Sequence, residues 1–148
     1  LVISNGLAAM GIAVPGALAA GLVAPDRHVV AVCGDGGFLM NVQELETMVR
    51  AGVRATIVVW RDERYGLIDW KQRNEFGRTF GVDFGNPDLV LLAQAFGIRG
   101  LRPTTAAEVG PAIRTALDHP GVSLVDIAVD ATENVRLTER LGAVARSG

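Results

Sequence analysis

Short unbroken apolar runs alternate along the chain with stretches whose apolar residues fall at helical spacing. Residues 28–33 (HVVAVC) and 55–60 (ATIVVW) are continuous apolar runs, as strands covered on both faces require. Between them Val42, Leu45, Met48 and Val49 share one helical face. Asn41, with Glu44 three residues later, predicts a capping box at the start of that helix, and Gly52 predicts its end. Strand, helix and strand in this order predict a βαβ unit with parallel strands and a right-handed crossover.

Downstream the alternation continues. Asn86-Pro87 predicts a helix start with a cap and a first-turn proline; Leu89, Leu92, Ala93 and Phe96 point inward and Gly97 closes it. Thr105 with Glu108 opens another helix, using Val109, Ile113 and Leu117. Residues 122–129 (VSLVDIAV) read as a strand and 132–143 as a terminal helix. The class is therefore α/β. Residues 65–85 break the pattern, being long, aromatic, charged and glycine-punctuated, and predict a functional or poorly ordered loop.

Composition narrows the field. With 148 residues, 49% of them hydrophobic and 20% charged, the chain can bury the core of one domain. A net charge of −2 and the lack of a basic cluster argue against a nucleic-acid partner. A single cysteine rules out a disulfide framework and fits a reducing compartment, hence a cytoplasmic location. His28 and His119 stand at element ends and read as surface or edge residues. Residues 1–24 carry no charge, but their glycines and Pro15 weigh against a membrane span. They suit close packing against other protein, so this face is expected to be covered by another domain or subunit. The chain begins with Leu1, and one domain of a longer protein is expected.

The candidate chemistry lies where strands end. In an open parallel sheet, ligands bind beyond the carboxyl ends of the strands. Asp35 stands at one such end among Gly34, Gly36 and Gly37, and Asp62 follows the second apolar run. GDGG by itself is either a tight turn with an exposed aspartate or a backbone cradle for an anion beside a metal ligand. A second carboxylate at the next strand end favours the latter, because two hard oxygen ligands suit Mg²⁺ or Ca²⁺ and leave coordination positions for phosphate. Neither G-x-G-x-x-G nor a Walker loop is present, since position 39 is Leu and no Gly-Lys-Ser/Thr follows.

Gly34-Asp35-Gly36 followed, one crossover later, by Arg61-Asp62 resembles the signature of thiamine diphosphate-dependent enzymes. The resemblance is to the cofactor-diphosphate domain of acetolactate synthase-like proteins, and it covers essentially the whole chain. It implies a three-layer open, mostly parallel sheet with helices on both faces. It also implies that residues 1–148 are the C-terminal domain of a longer chain whose N-terminal pyrimidine-binding and central domains lie elsewhere. The family's metal ligands carry over to the Asp35 carboxylate, the Asp62 side chain and the Arg64 carbonyl. The family's signature ends in Asn-Asn or a variant with Asp second; the first Asn is Arg61 here, while the metal-binding second position, Asp62, keeps an oxygen ligand. SNGLAAMG (4–11) resembles the segment that contacts the aminopyrimidine, with Ala8 offering its carbonyl. Met10, otherwise an ordinary core gap-filler, matches the bulky residue between the cofactor's two rings. Gly34, Gly36, Gly37, Tyr65 and Gly66 complete the cofactor-binding set. ELETMVR (44–50), VDFGNPD (82–88) and VDATENVRL (129–137) resemble the catabolic acetolactate synthase branch.

The implied cofactors are thiamine diphosphate and Mg²⁺; FAD is compatible with the resemblance and leaves no signature in these residues. The implied reaction joins two pyruvates with loss of CO₂. The family's activating glutamate sits on a different domain, so no catalytic residue is expected in this chain. Glu44 reads as a cap and Glu46 as a solvated or interface charge. The isolated domain is expected to be inactive, and the whole protein to be a homodimer or homotetramer. GLIDWKQ (66–72) departs from the G-M-V-x-Q-W of biosynthetic enzymes, with Trp70 one position early and Lys71 in its place. Leu67, Ile68 and Lys71 then face the substrate, and a small 2-oxo acid is the expected acceptor. Another 2-oxo acid decarboxylase or carboligase, a non-catalytic cofactor-binding module and a two-aspartate phosphohydrolase are the alternatives. The last lacks a nucleophile or Lys/Arg clamp beside the first strand.

Overall fold

The structure is a computed structural model that describes residues 1–4 and 6–131. The helix expected over 132–143 lies outside the described residues. Among the described residues four strands, β1 (Val29–Gly34), β2 (Ala55–Arg61), β3 (Arg99–Leu101) and β4 (Val122–Ala128), form one parallel sheet in the order β1-β2-β4-β3. Helices cover both faces, so the fold is the three-layer α/β arrangement expected.

The alternation of side chains across each strand separates two cores. Ala55, Ile57 and Val59 of β2 and Val122 and Leu124 of β4 face α1 (Ala13–Val23), α2 (Asp35–Leu39), α3 (Glu44–Arg50) and α5 (Leu89–Ala95). Val58, Val125 and Ile127 face α6 (Ala106–Leu117) through Ala112, Ile113 and Ala116. β2 and β4 are thus buried on both sides, which is why they read as unbroken apolar runs. β1 is an edge strand among the described residues and is not covered on both faces as expected: on the α6 side its Val30 and Val32 remain 51% and 55% exposed.

Helix α1 turns Val14, Ala17 and Gly21 inward at intervals that keep one face. A Cβ on Gly21 would stand 2.4 Å from Val53 Cγ1, so the small residue permits the close approach of helix to core. Ile12, Leu22 and Val23 lie on the exposed side. Among the described residues no helix is long and apolar enough to cross a membrane.

Several local expectations are corrected. No capping box opens at Asn41: a helix begins at Asp35 itself, and α3 starts only at Glu44 after Gln43 without a side-chain cap. Glu44 therefore does not cap, while Glu46 forms a solvated pair with Arg50 at 3.0 Å. Asn86 does not cap α5; Asp88 does, accepting from the N–H groups of Val90 and Leu91. Residues 66–76, expected to be loop, form helix α4 (Gly66–Phe76), which buries none of its residues. The box at Thr105 and Glu108 is present as expected.

Candidate functional site

The βαβ unit brings the ends of β1 and β2 side by side, with Gly34 paired to Trp60. Asp35 follows directly and is 1% exposed. An ionised carboxylate at that depth needs donors, and three converge on it. Gly36 N–H donates to Oδ1 at 2.8 Å; Glu63 N–H and Asn86 Nδ2 donate to Oδ2 at 2.8 and 2.6 Å. Glu63 reaches this position with φ +58, a conformation uncommon for a residue with a side chain.

Asp62 stands on the next strand end. Burial, and then the negative charge of Asp35, hold its carboxyl above the usual range. Its Oδ1 accepts from Arg64 N–H at 3.3 Å, and a Cβ on Gly66 would lie 3.1 Å from its Oδ2. The same pressures act on the neighbouring thiol: burial and Asp35 push Cys33 up to about 12, which keeps it protonated and unreactive.

The glycines are places of contact. A Cβ on Gly36 would meet Tyr65 Cε1 at 2.7 Å and Met10 Cε at 3.2 Å, so the Tyr65 ring and the Met10 side chain close over it. Gly37 faces the Gly11 N–H group, where an added Cβ would be 3.6 Å away. Gly11 has φ +92 and its carbonyl accepts from Asn41 Nδ2 at 3.0 Å, which fixes segment 8–11 on the turn. Ala8, exposed, has φ +48. Strained residues in a loop at a strand end are a recurrent mark of functional sites.

Beyond Asp62 the chain makes an excursion that returns at Asn86 and is pinned at its base. Tyr65 N–H donates to the Val82 carbonyl at 2.9 Å and Phe84 N–H to the Glu63 carbonyl at 3.1 Å. Arg64 pairs with Asp83, and the Tyr65 and Phe84 rings lie 4.7 Å apart. Arg61 turns away from the site: its Nε donates to the fully buried Asp126 at 2.8 Å, and Nη1 reaches Glu63 at 3.1 Å. Arg102 donates to the other Asp126 oxygen at 2.7 Å and grips Asp88. Asp126 thus ties the end of β2 to the cap of α5.

Of the residues singled out from sequence, Met10, Asp35, Gly36 and Tyr65 come together around one turn, with Asp62, Arg64 and Gly66 beside it. Gly34 is exposed and precedes α2, its absent Cβ no nearer than 4.0 Å to the Trp60 carbonyl oxygen. Leu67, Ile68 and Lys71 lie exposed on α4, which Gly66 joins to this cluster. His28 binds buried Thr56 at 2.9 Å, and His119 lines a shallow cavity at the opposite end of the strands. Asn86 and Asn41 were missed as site residues because each precedes a helical pattern and signals a cap.

The donor set fits a hard divalent cation: two mutually repelling carboxylates, one of them held at a level a nearby cation would lower. Among the described residues no cage of three or more His, Cys, Asp or Glu gathers. Mg²⁺ is commonly held by one or two carboxylates together with phosphate and water, so two suffice.

Residues 1–127 match the family model described as thiamine pyrophosphate enzyme, C-terminal TPP binding domain. The chain is 40% identical over 137 residues to the acetolactate synthase of Bacillus subtilis, covering 93% of the chain and 24% of that protein. It is 40% identical over 141 residues to the catabolic acetolactate synthase of Raoultella terrigena, covering 95% and 25%. Against the acetolactate synthase isozyme 2 large subunit of Escherichia coli it is 38% identical over 136 residues, covering 89% and 24%. The chain thus spans about a quarter of the length of these relatives. It belongs to the thiamine pyrophosphate (thiamine diphosphate) enzymes, as a C-terminal TPP-binding domain of that family.

Proposed function

We propose that this domain holds the diphosphate of thiamine diphosphate through Mg²⁺ in an acetolactate synthase, which converts two pyruvates to 2-acetolactate and CO₂. The observation that carries the reading is the buried Asp35 carboxylate, oriented by three donors beside an Asp62 whose ionisation it opposes. Asp35, Asp62 and the Arg64 carbonyl would hold the cation. Gly36 and Gly37 leave the backbone bare beside it, and Met10 and Tyr65 close over that turn. When bound, the cofactor supplies the electron sink for loss of CO₂ from a 2-oxo acid. The chain's own part is to bind and orient: Asp126 and Arg61 fix the turn that offers Glu63 N–H to Asp35, and Asn41 fixes the segment bearing Ala8 and Met10.

Leu67, Ile68 and Lys71 sit on the acceptor side in this reading, and their exposure on α4 fits a surface that other parts of the protein complete. The activating glutamate, the pyrimidine-binding and central domains, and a second subunit lie outside this chain. The assembled protein is cytoplasmic and at least a homodimer, and the domain alone is inactive. A decarboxylase or carboligase for another small 2-oxo acid is the second reading; Trp70-Lys71, standing where biosynthetic enzymes carry Gln-Trp, support a small acceptor in either case. The test is product analysis with the intact protein, pyruvate, Mg²⁺ and thiamine diphosphate. Acetolactate with one CO₂ per pair of pyruvates is the expected result; an aldehyde as the sole organic product would replace the first reading by the second, and no turnover of any 2-oxo acid would contradict both.

A further inference from the structure

Asn86 lies between α4 and α5, well separated in sequence from the carboxylate it reaches. Its Nδ2 donates to Asp35 Oδ2 at 2.6 Å, and Glu63 N–H donates to the same oxygen at 2.8 Å. A carboxylate oxygen offers two lone-pair sites, so these donors occupy Oδ2. Among the described residues Oδ1 accepts one bond, from Gly36 N–H at 2.8 Å, and keeps a free lone pair. The Asn86 Oδ1 atom is buried without a hydrogen-bond partner, so the amide is oriented by its charge-assisted bond to Asp35 and by no competing donor. Glu63 and Asn86 also flank the two sides of one pinned base, where residues 63–65 bond to 82–84. The base of the excursion therefore delivers two donors to one oxygen.

We propose that Asn86 is a positioning residue that makes Asp35 a one-oxygen ligand. Held at Oδ2 by Asn86 and Glu63, the carboxylate turns Oδ1 alone toward a divalent cation. Single-oxygen ligation suits Mg²⁺, which is small and strictly octahedral, and denies Ca²⁺ the two-oxygen mode that its larger and flexible shell also accepts. The inference rests on the Mg²⁺–diphosphate reading above and adds a cation preference to it. Removing Asn86 frees Oδ2 and relaxes that preference.

The experiment titrates thiamine diphosphate binding to the intact protein with Mg²⁺ and, separately, with Ca²⁺. Wild type is compared with Asn86→Ala, Asn86→Ser and Gln72→Ala. The last removes two hydrogen bonds to Phe80 within the same excursion and does not touch Asp35. Asn86→Ala is expected to raise the Mg²⁺ concentration needed for half-maximal binding roughly 10-fold, as loss of a group that orients a ligand does. The Ca²⁺ requirement should move less, so the preference for Mg²⁺ falls. Asn86→Ser, which keeps a short donor, should fall between wild type and alanine and carries the comparison if the alanine variant does not fold. Gln72→Ala should keep the wild-type preference. An unchanged preference in the Asn86 variants, or an equal fall in Gln72→Ala, would overturn the assignment. If wild type binds the cofactor without any divalent cation, the metal reading fails together with it; if wild type needs Mg²⁺ and the Asn86 variants keep its preference, this inference alone fails.

Discussion

Asp35 is tolerated in the interior because its charge is met by three donors, each bond to a charged group contributing about 1.5–3 kcal/mol against the cost of desolvation. Two of these donors come from residues with no apolar pattern, and that decides what could be read from sequence. Asp35 and Asp62 were legible because a carboxylate that ends an unbroken apolar run has few other reasons to stand there. Asn86 and Asn41 were not, because the same residue type before a helix satisfies the signal for a cap. Only the fold shows that Asp88 already performs that role and leaves Asn86 free to reach Asp35. Gly36 carries a further prediction. A methyl at this position would strike the Tyr65 ring, which is backed by Phe84. Gly36→Ala is therefore expected to cost about 1–3 kcal/mol of stability through overpacking and to weaken cofactor retention. A denaturation midpoint equal to that of wild type would mean that the ring yields freely.

Elements were legible where an unbroken apolar run or a capping signal marked them. β2 and β4, covered on both faces, announced themselves, as did α6 with its capping box. β3 is three residues long and includes an exposed arginine and a glycine, too short for any periodicity to emerge. α4 lacked the signal for another reason: none of its residues is buried, so no apolar face marks it, and its charges pair within the excursion, Asp69 with both Arg64 and Arg73. The cap of α5 gives a pH prediction. The Arg102 guanidinium, followed by the N–H of Leu91, lowers the Asp88 carboxyl from 3.8 to about 2. A lowered value means that the folded state holds the proton less readily than the unfolded one. The resulting stability is complete above the ordinary value and is lost as pH falls from about 4 through about 2. Asparagine at 88 keeps a capping acceptor but cannot change charge. Asp88→Asn should therefore flatten the decline of the denaturation midpoint over that window, and parallel curves for the two proteins would refute the assignment.

At the scale of the whole molecule, the topology explains why one corner of the sheet holds the chemistry. The order β1-β2-β4-β3 sets β1 and β2 as neighbours, and both Asp35 and Asp62 lie at their carboxyl ends. At the opposite end, Gly52 and Gly97 follow α3 and α5, and the shallow cavity there is lined by no carboxylate among the described residues. Apolar surface remains open on the outer side of α1, on α4 and on the α6 side of β1, where Val30 and Val32 are exposed. Patches of this kind mark contact with further protein, in keeping with a chain that spans about a quarter of its relatives. In the proposed function, Asp35 and Asp62 hold a cation that in turn holds the cofactor's diphosphate. Calorimetric titration of thiamine diphosphate into the intact protein, with and without Mg²⁺, tests it most directly. Wild type should bind only with the cation, and Asp35→Asn and Asp62→Ala should each weaken binding by more than roughly 100-fold, beyond the usual loss for a residue that merely orients a ligand. Wild-type Mg²⁺-dependent affinity in both variants would contradict the claim.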